Sequence, residues 1–149
     1  MVALALERFD KLDILVNNAA TIVYKGVVEM TLEEWERILA VNLTGVFLHS
    51  REAVRAMIPN KSGTIVNTGS YACFFGFPAI AAYCASKGGL SQLTRVLAVE
   101  NIQHGIRVNA VGGRRRDELA QEVQGTESVR LRQGAGFHEG VTELAQENP

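Results

Sequence analysis

The segment that decides the fold covers residues 64–111 and reads TIVNTGSYACFFGFPAIAAYCASKGGLSQLTRVLAVENIQHGIRVNAV. It opens with one β-branched run, residues 64–67, and closes with another, residues 106–111. Between them a helical pattern covers about residues 79–101, and Gly105 ends it before the second run. Continuous apolar runs of this length are typical of buried parallel strands. The segment therefore predicts a strand, a helix and a parallel strand.

The residues before this segment add a third strand and two more helices. Residues 12–16 (LDILV) form another apolar run. A capping box, Thr31 with Glu34, begins a helix that extends to about residue 40, and a second helix covers about residues 43–57. Turn residues at 59–63 lead into the next strand. The order predicts an α/β fold with a parallel three-stranded βαβαβ core, one half of a Rossmann-type doubly wound sheet.

Composition excludes several classes of protein. The chain has 149 residues, of which 47% are hydrophobic and 21% are charged, with a net charge of −1. These values are ordinary for one globular domain and argue against disorder. There is no long apolar run, and the first residues, MVALALERF, reach charged side chains too early for a secretory signal. The only basic run, RRR at 114–116, is followed at once by acidic residues, so we expect neither a membrane nor a nucleic-acid partner.

The cysteines of the chain indicate a reducing compartment, and its histidines do not predict a metal site. The two cysteines, Cys73 and Cys84, are predicted to be buried free thiols. The three histidines are far apart and match no metal-binding motif. We therefore expect a cytoplasmic protein.

The composition changes near residue 112. Residues 112–149 hold 12 of the 31 charged residues and 6 of the 14 glycines. We therefore expect residues 1–111 to form the packed domain and residues 112–149 to form a polar tail.

Tyr83 and Lys87 are the first candidates for chemistry. They lie four residues apart on the last predicted helix, which places both on one helix face. A nearby cation favours the phenolate, so such a pair can exchange protons with a substrate. By itself the pair is weak, because a tyrosine and a surface lysine often share a helix face by chance.

Polar residues near the predicted strand ends are further candidates. Ser70 follows the second strand, where ligands of open α/β sheets bind, although a serine that caps a turn is the alternative. Asn42 interrupts a helical pattern, which indicates a kink, a held water or an exposed, tolerated residue. Asn17 and Asn18 end the first strand, and small residues from Ala19 onward would let a ligand approach the backbone; a simple turn is the alternative.

The order and spacing of these motifs carry more weight than any one of them. LVNNA, VNLTG and IVNTGS come first, Ser70 lies 13 residues before Tyr83, and Y-x-x-x-K and GIRVNAV follow. In this arrangement the chain resembles the short-chain dehydrogenase/reductase family. Residues 81–100 resemble the catalytic helix of that family almost residue for residue, and the resemblance covers residues 1 to about 111.

The resemblance implies hydride transfer between NAD or NADP and an alcohol or carbonyl substrate. It implies that Tyr83 is the general acid–base and that Lys87 favours its ionised form and binds the nicotinamide ribose. Ser70 would polarise the substrate carbonyl, and Asn42 would hold a water in a proton relay through Lys87.

The resemblance also implies which residues line the cofactor-binding side of the site and that the chain associates with copies of itself. Asn18 and Ala19 would line the cofactor site, and Asn17 would brace the strand end. Members of the family commonly associate through their two long helices, so we expect a homo-oligomer.

The sequence departs from the family at both ends. The glycine-rich phosphate loop, T-G-x-x-x-G-x-G, is absent, and with it the segment that selects NAD or NADP. After GIRVNAV the usual Pro-Gly turn is replaced by GGRRRDELAQ. A second hypothesis is therefore a truncated or frameshifted, non-catalytic product that acts, if at all, through oligomer contacts.

Two further expectations concern packing. The aromatic side chains of residues 70–80 could form a wall for an apolar substrate, a subunit contact or core packing under a loop. The helices of this half of the fold would mainly cover one face of the sheet, leaving the other to residues 2–9 and the tail. The exposed face predicts marginal stability or association.

Overall fold

The computed structural model describes residues 1–112, and the predicted polar tail lies outside them from residue 113 onward. The strands are β1 (Ile14–Asn17), β2 (Gly63–Thr68) and β3 (Ile106–Val111). The helices are α1 (Val2–Phe9), α2 (Leu32–Leu39), α3 (Gly45–Met57) and α4 (Ala81–Asn101). Each predicted strand is present, and the last has the predicted bounds.

The three strands form a parallel sheet in the order β1-β2-β3. Asn17 of β1 is paired with Asn67 of β2, which is paired with Ala110 of β3. The carboxyl ends of all three strands therefore meet at one edge of the sheet. The predicted α/β fold with a three-stranded βαβαβ core is confirmed.

The core lies between one face of the sheet and helices α3 and α4. Its buried side chains come from all three strands and both helices: Leu15, Ala53, Met57, Ile65, Leu97, Ile106 and Val108. Burial alternates along β1, β2 and the first half of β3, so that Leu15 is buried while Ile14 and Val16 are 62% and 59% exposed. Within residues 1–112, β1 is thus half-exposed rather than buried as its apolar run predicted, because apolar content alone does not show which face is covered.

Helix α1 does not cover the open face of the sheet. It packs against α3, and the two helices border a cleft of about 440 Å³ that includes Leu6 and His49. The expectation that residues 2–9 would shield the other face is therefore wrong. Ile14, Val16 and Val111 stay largely exposed there.

The predicted helices 31–40 and 43–57 are parts of one continuous helical stretch. The capping box is confirmed, since the Thr31 hydroxyl accepts from the Glu34 N–H at 3.2 Å and the Glu34 carboxylate accepts from the Thr31 N–H at 3.0 Å. A π-turn, Ala40–Thr44, then joins α2 to α3. The helix is locally wider there, at the position where Asn42 interrupts the predicted helical pattern.

The last long helix begins two residues later than predicted. Ala79 has φ of 61°, outside the right-handed helical region, so α4 starts only at Ala81. At its other end a single 3₁₀ turn, Ile102–His104, leads to Gly105, whose φ of 68° ends the helix as predicted.

Both cysteines are free, as predicted, but neither is fully buried. Cys73 belongs to a 3₁₀ turn that follows β2, and Cys84 lies in the first turns of α4. None of the helices within residues 1–112 is long and apolar enough to cross a membrane.

Candidate functional site

Lys87 is the buried charge at the carboxyl edge of the sheet. It is 2% exposed, and its ammonium donates a hydrogen bond of 2.6 Å to the main-chain carbonyl of Thr68, the last residue of β2. Burial lowers the pKa of Lys87 below its ordinary value, and the nearby Cys73 sulfur partly offsets this effect. An ammonium has three protons, so the bond to Thr68 leaves two for a ligand.

Tyr83 and Lys87 share one face of α4, as their spacing predicts. The Lys87 nitrogen lies over the Tyr83 ring, 5.7 Å from its centroid. The cation and the aromatic ring are thus close enough to influence each other electrostatically. One turn of helix holds both, so their relative position depends on no loop.

Asn18, which directly follows β1, also contacts the carboxyl end of β2. Its side-chain oxygen accepts a hydrogen bond of 3.0 Å from the Thr68 hydroxyl. Thr68 therefore contacts Lys87 through its carbonyl and Asn18 through its side chain. Ala19 follows Asn18 and is exposed, so this edge is accessible. Thr68 was not among the candidates identified from the sequence. Its one signal there was its position directly after the apolar run, between residues 65–67 (IVN) and 69–70 (GS).

Asn42 is fully buried, so the alternative of an exposed, tolerated asparagine is wrong. Its side-chain oxygen accepts from the Thr21 N–H at 2.8 Å, and its amide nitrogen donates to the Thr21 carbonyl at 2.9 Å. The same nitrogen donates to the Ser86 hydroxyl at 3.1 Å, and Ser86 donates to the Tyr83 carbonyl at 2.8 Å. Asn42 is thereby connected to the loop after β1 and to α4. The sequence carried no clear signal for Thr21 or Ser86.

Ser70 begins the loop after β2 and caps it, as the turn alternative predicted. Its hydroxyl oxygen accepts from the Ala72 N–H at 3.2 Å, and its own N–H donates to the Cys73 sulfur at 3.3 Å. Accepting one bond leaves the hydroxyl proton available to a carbonyl oxygen. Within residues 1–112, no hydrogen bond joins Ser70 directly to Tyr83.

A buried polar network lies beneath this edge. The Asn17 amide donates to Asn67 at 2.8 Å and to Ser50 of α3 at 3.1 Å. Asn67 donates to Thr94 of α4 at 2.9 Å. Asn17 thus has the bracing position that was expected for it, since it connects β1 to β2 and to a helix.

The comparison with known families agrees with this arrangement. The family model for short chain dehydrogenases matches residues 1–114. The chain belongs to the short-chain dehydrogenase family. Its recognition from the sequence is confirmed.

Individual short-chain dehydrogenases resemble the chain over the same region. It is 47% identical to 2-(S)-hydroxypropyl-CoM dehydrogenase 3 of Xanthobacter autotrophicus over 97 residues, 65% of this chain and 38% of that protein. Gluconate 5-dehydrogenase of Burkholderia cenocepacia, solved with NADP and tartrate, is 31% identical with a TM-score of 0.72, covering 74% of this chain and 44% of its own.

An NAD⁺-bound xylitol dehydrogenase is 37% identical with a TM-score of 0.72, covering 74% of this chain and 43% of its own. The chain therefore spans less than half the length of these relatives. Within the part of this short-chain dehydrogenase that the structure describes, no cluster of three His, Cys, Asp or Glu side chains could hold a metal ion.

Proposed function

We propose that this chain carries the acid–base part of an NAD(P)-dependent oxidoreductase site that interconverts an alcohol and a carbonyl compound. The observation that supports this proposal most is the placement of Lys87, a buried cation beside the Tyr83 ring and hydrogen-bonded to the end of β2. A cation in a water-poor site is costly to bury and is retained where it interacts with a reacting group.

Tyr83 is the general acid–base in this proposal, and Ser70 polarises the substrate oxygen. In the direction of reduction the carbonyl carbon gains a C–H bond and the π electron pair moves onto oxygen. Tyr83 gives its proton to that oxygen, while the Ser70 hydroxyl donates a hydrogen bond to it. Donors fixed in place before charge develops on the oxygen lower the barrier to its formation.

Asn42 serves the proton relay through its main chain. Its side-chain amide is committed to Thr21 and Ser86, so a relay water would be held by the Asn42 main-chain carbonyl in the π-turn. Lys87, whose burial already disfavours its charged form, would pass the proton between that water and the Tyr83 side of the site.

The residues at the carboxyl edge fit a nicotinamide nucleotide. When bound, this cofactor supplies or accepts the hydride. Lys87 has protons for ribose hydroxyls, Asn18 and Ala19 present an open edge, and Tyr83 borders the same region. NADP and NAD⁺ are each named with one of the solved relatives, and we propose one of the two for this chain.

We further propose a cytoplasmic homo-oligomer in which residues 1–111 form the packed domain and residues 112–149 a polar tail. Exposed apolar side chains on the outer faces of α3 and α4, among them Phe47, Leu48 and Val99, favour association with a second copy.

A non-catalytic role through contacts with other copies is the second candidate. The open sheet face, with Ile14 and Val16 mostly exposed, favours association whether or not a cofactor binds. One relative that is 48% identical over 97 residues is itself named an inactive 2-(S)-hydroxypropyl-CoM dehydrogenase.

Calorimetric titration of the folded 149-residue chain with NADH and with NADPH separates the two candidates. We expect one of them to bind and support carbonyl reduction, and Tyr83→Phe to keep the binding while lowering turnover about 10²- to 10⁴-fold. No binding of either nucleotide at millimolar concentration by a folded chain would refute the oxidoreductase proposal and leave the non-catalytic one.

A further inference from the structure

A cleft beside Ser70 has a mainly aromatic lining. It measures about 260 Å³ and is lined by Ser70, Tyr71, Phe74 and Gly112. Ser70 is the residue proposed to polarise the substrate oxygen, so a molecule in this cleft would have its carbonyl at one end and aromatic rings along its body.

Two of the aromatic side chains of this loop are not core residues. Phe74 is 71% exposed and Phe75 is 59% exposed, which contradicts the alternative that they pack beneath the loop. The rings of Tyr71 and Phe75 are stacked, with centroids 6.1 Å apart and planes 16° apart. Large aromatic side chains that stay exposed beside a polar group are typical of a recognition surface.

Local hydrogen bonds connect Ser70 to the main chain that carries these rings. The Ser70 hydroxyl accepts from Ala72, and the N–H groups of Phe74 and Phe75 donate to the Tyr71 carbonyl at 2.9 and 3.1 Å. The aromatic wall and the candidate catalytic serine therefore belong to one short segment, residues 70–75.

The charge of the cleft restricts what it can take. None of its lining residues within the described part of the chain is a carboxylate or a basic side chain. The Lys87 ammonium near the loop donates to Thr68 and, in the proposed function, has its remaining protons for the nicotinamide ribose. Among residues 1–112, the cleft lining therefore offers an anionic substrate no partner for its charge, and a polyol would place hydroxyl groups against aromatic faces.

We propose that the substrate is a neutral carbonyl or alcohol with a planar apolar body, such as an aromatic ketone. Its oxygen contacts Ser70 and its body packs against Tyr71 and Phe74. This inference rests on the proposed function and specifies its substrate class. This substrate class differs from gluconate and xylitol, after which two of the solved relatives are named.

The test is an NMR titration of the full folded chain, without nucleotide, with acetophenone and separately with dihydroxyacetone. We expect acetophenone to shift the amide signals of residues 70–75 with millimolar affinity and dihydroxyacetone to bind more weakly. Phe74→Ser should weaken acetophenone binding about three- to tenfold, the range for loss of one aromatic contact. Phe9→Ser is the matched control, because Phe9 is also 71% exposed but lies on α1.

Three results would overturn the inference: no acetophenone binding by the folded chain, equal or tighter binding of dihydroxyacetone, or the same affinity in the Phe74 variant as in the Phe9 variant. If Phe74→Ser instead dissociates an oligomer and leaves acetophenone binding unchanged, the rings form a subunit contact and the inference is also wrong. Because the titration omits nucleotide, acetophenone binding without NADH or NADPH binding would support the cleft assignment while the oxidoreductase proposal failed.

Discussion

The side chain of Asn42 binds both main-chain polar groups of Thr21, with its oxygen 2.8 Å from the N–H and its nitrogen 2.9 Å from the carbonyl. Asn42 lies in the π-turn between α2 and α3, and Thr21 lies in the loop that follows β1. Thr21 lies outside strands β1, β2 and β3, so its N–H and carbonyl are paired by the Asn42 amide instead of by a neighbouring strand. The loop beside the candidate cofactor edge is thereby fixed by one side chain.

Asn42→Ala should destabilise the chain by about 2 kcal/mol, because it removes the partner of both main-chain polar groups of the half-buried Thr21 and empties a fully buried position. Asn42→Asp should cost at least as much, since its carboxylate would face the Thr21 carbonyl with an acceptor. Urea denaturation of both variants measures these costs. Full stability of the aspartate variant at neutral pH would show that the amide nitrogen is not needed.

Lys87→Met should leave the chain at least as stable at neutral pH, although it removes the proposed ligand for the nicotinamide ribose. Burial lowers the pKa of Lys87 in the folded chain, so between that value and the ordinary one only the unfolded chain holds the proton. The contribution of Lys87 to the free energy of unfolding therefore rises as pH increases through this interval. The methionine variant should lack that rise.

Urea denaturation at about pH 7 and about pH 9.5 measures the difference for Lys87→Met. Lys87→Arg is the control, because a guanidinium keeps its charge over this interval and should destabilise the chain at both values. A methionine variant that is much less stable than the parent at neutral pH would contradict the assignment of Lys87 as a residue retained for function.

Local signals in the sequence were sufficient to predict the three strands and the start of α2. The bounds of β3 follow from a β-branched run directly after Gly105, and the start of α2 follows from the Thr31 and Glu34 capping box. The prediction that the last helix begins at Ala79 is wrong, because Ala79 has a left-handed conformation and its carbonyl accepts from the Lys25 N–H, 54 residues earlier in the chain. Which sheet face is covered depends on distant helices, and no local pattern encodes it.

The same distinction between local and long-range signals applies to the candidate site. The i, i+4 spacing of Tyr83 and Lys87 was sufficient to place them on one helix face. The partners of Asn42 are 21 and 44 residues away in the chain, so their contacts arise only when the loop, the π-turn and α4 pack together. For the same reason Thr68 and Ser86 were missed.

The hydrogen bond between Asn17 and Asn67 should show strong coupling in a double-mutant cycle. Both side chains are buried, and each has a second partner on a helix, Ser50 or Thr94. We expect Asn17→Ala and Asn67→Ala each to cost about 2 kcal/mol and the pair to couple by at least about 1 kcal/mol. Thermal or urea unfolding of the four proteins gives the coupling. Additive losses would mean that the two amides stabilise the sheet independently.

Gly105→Ala should be one of the most destabilising alanine substitutions in the chain, at about 2 kcal/mol or more. Gly105 has φ of 68°, and a Cβ there would lie 2.3 Å from the main-chain oxygen of Lys61. Neither the unfavourable φ nor the close contact can be relieved by a side-chain rotation, because both involve the main chain of the turn that connects α4 to β3.

Gly76→Ala is the matched control for Gly105→Ala, since no heavy atom lies within 4 Å of a Cβ at Gly76. It should change stability by less than about 0.5 kcal/mol. Unfolding both variants under the same conditions compares the two positions. If they lose the same stability, the close approach of Lys61 to Gly105 does not constrain the turn. A large loss at Gly105 alone would show that the turn into β3 tolerates no Cβ at this position, directly before the strand that pairs with β2.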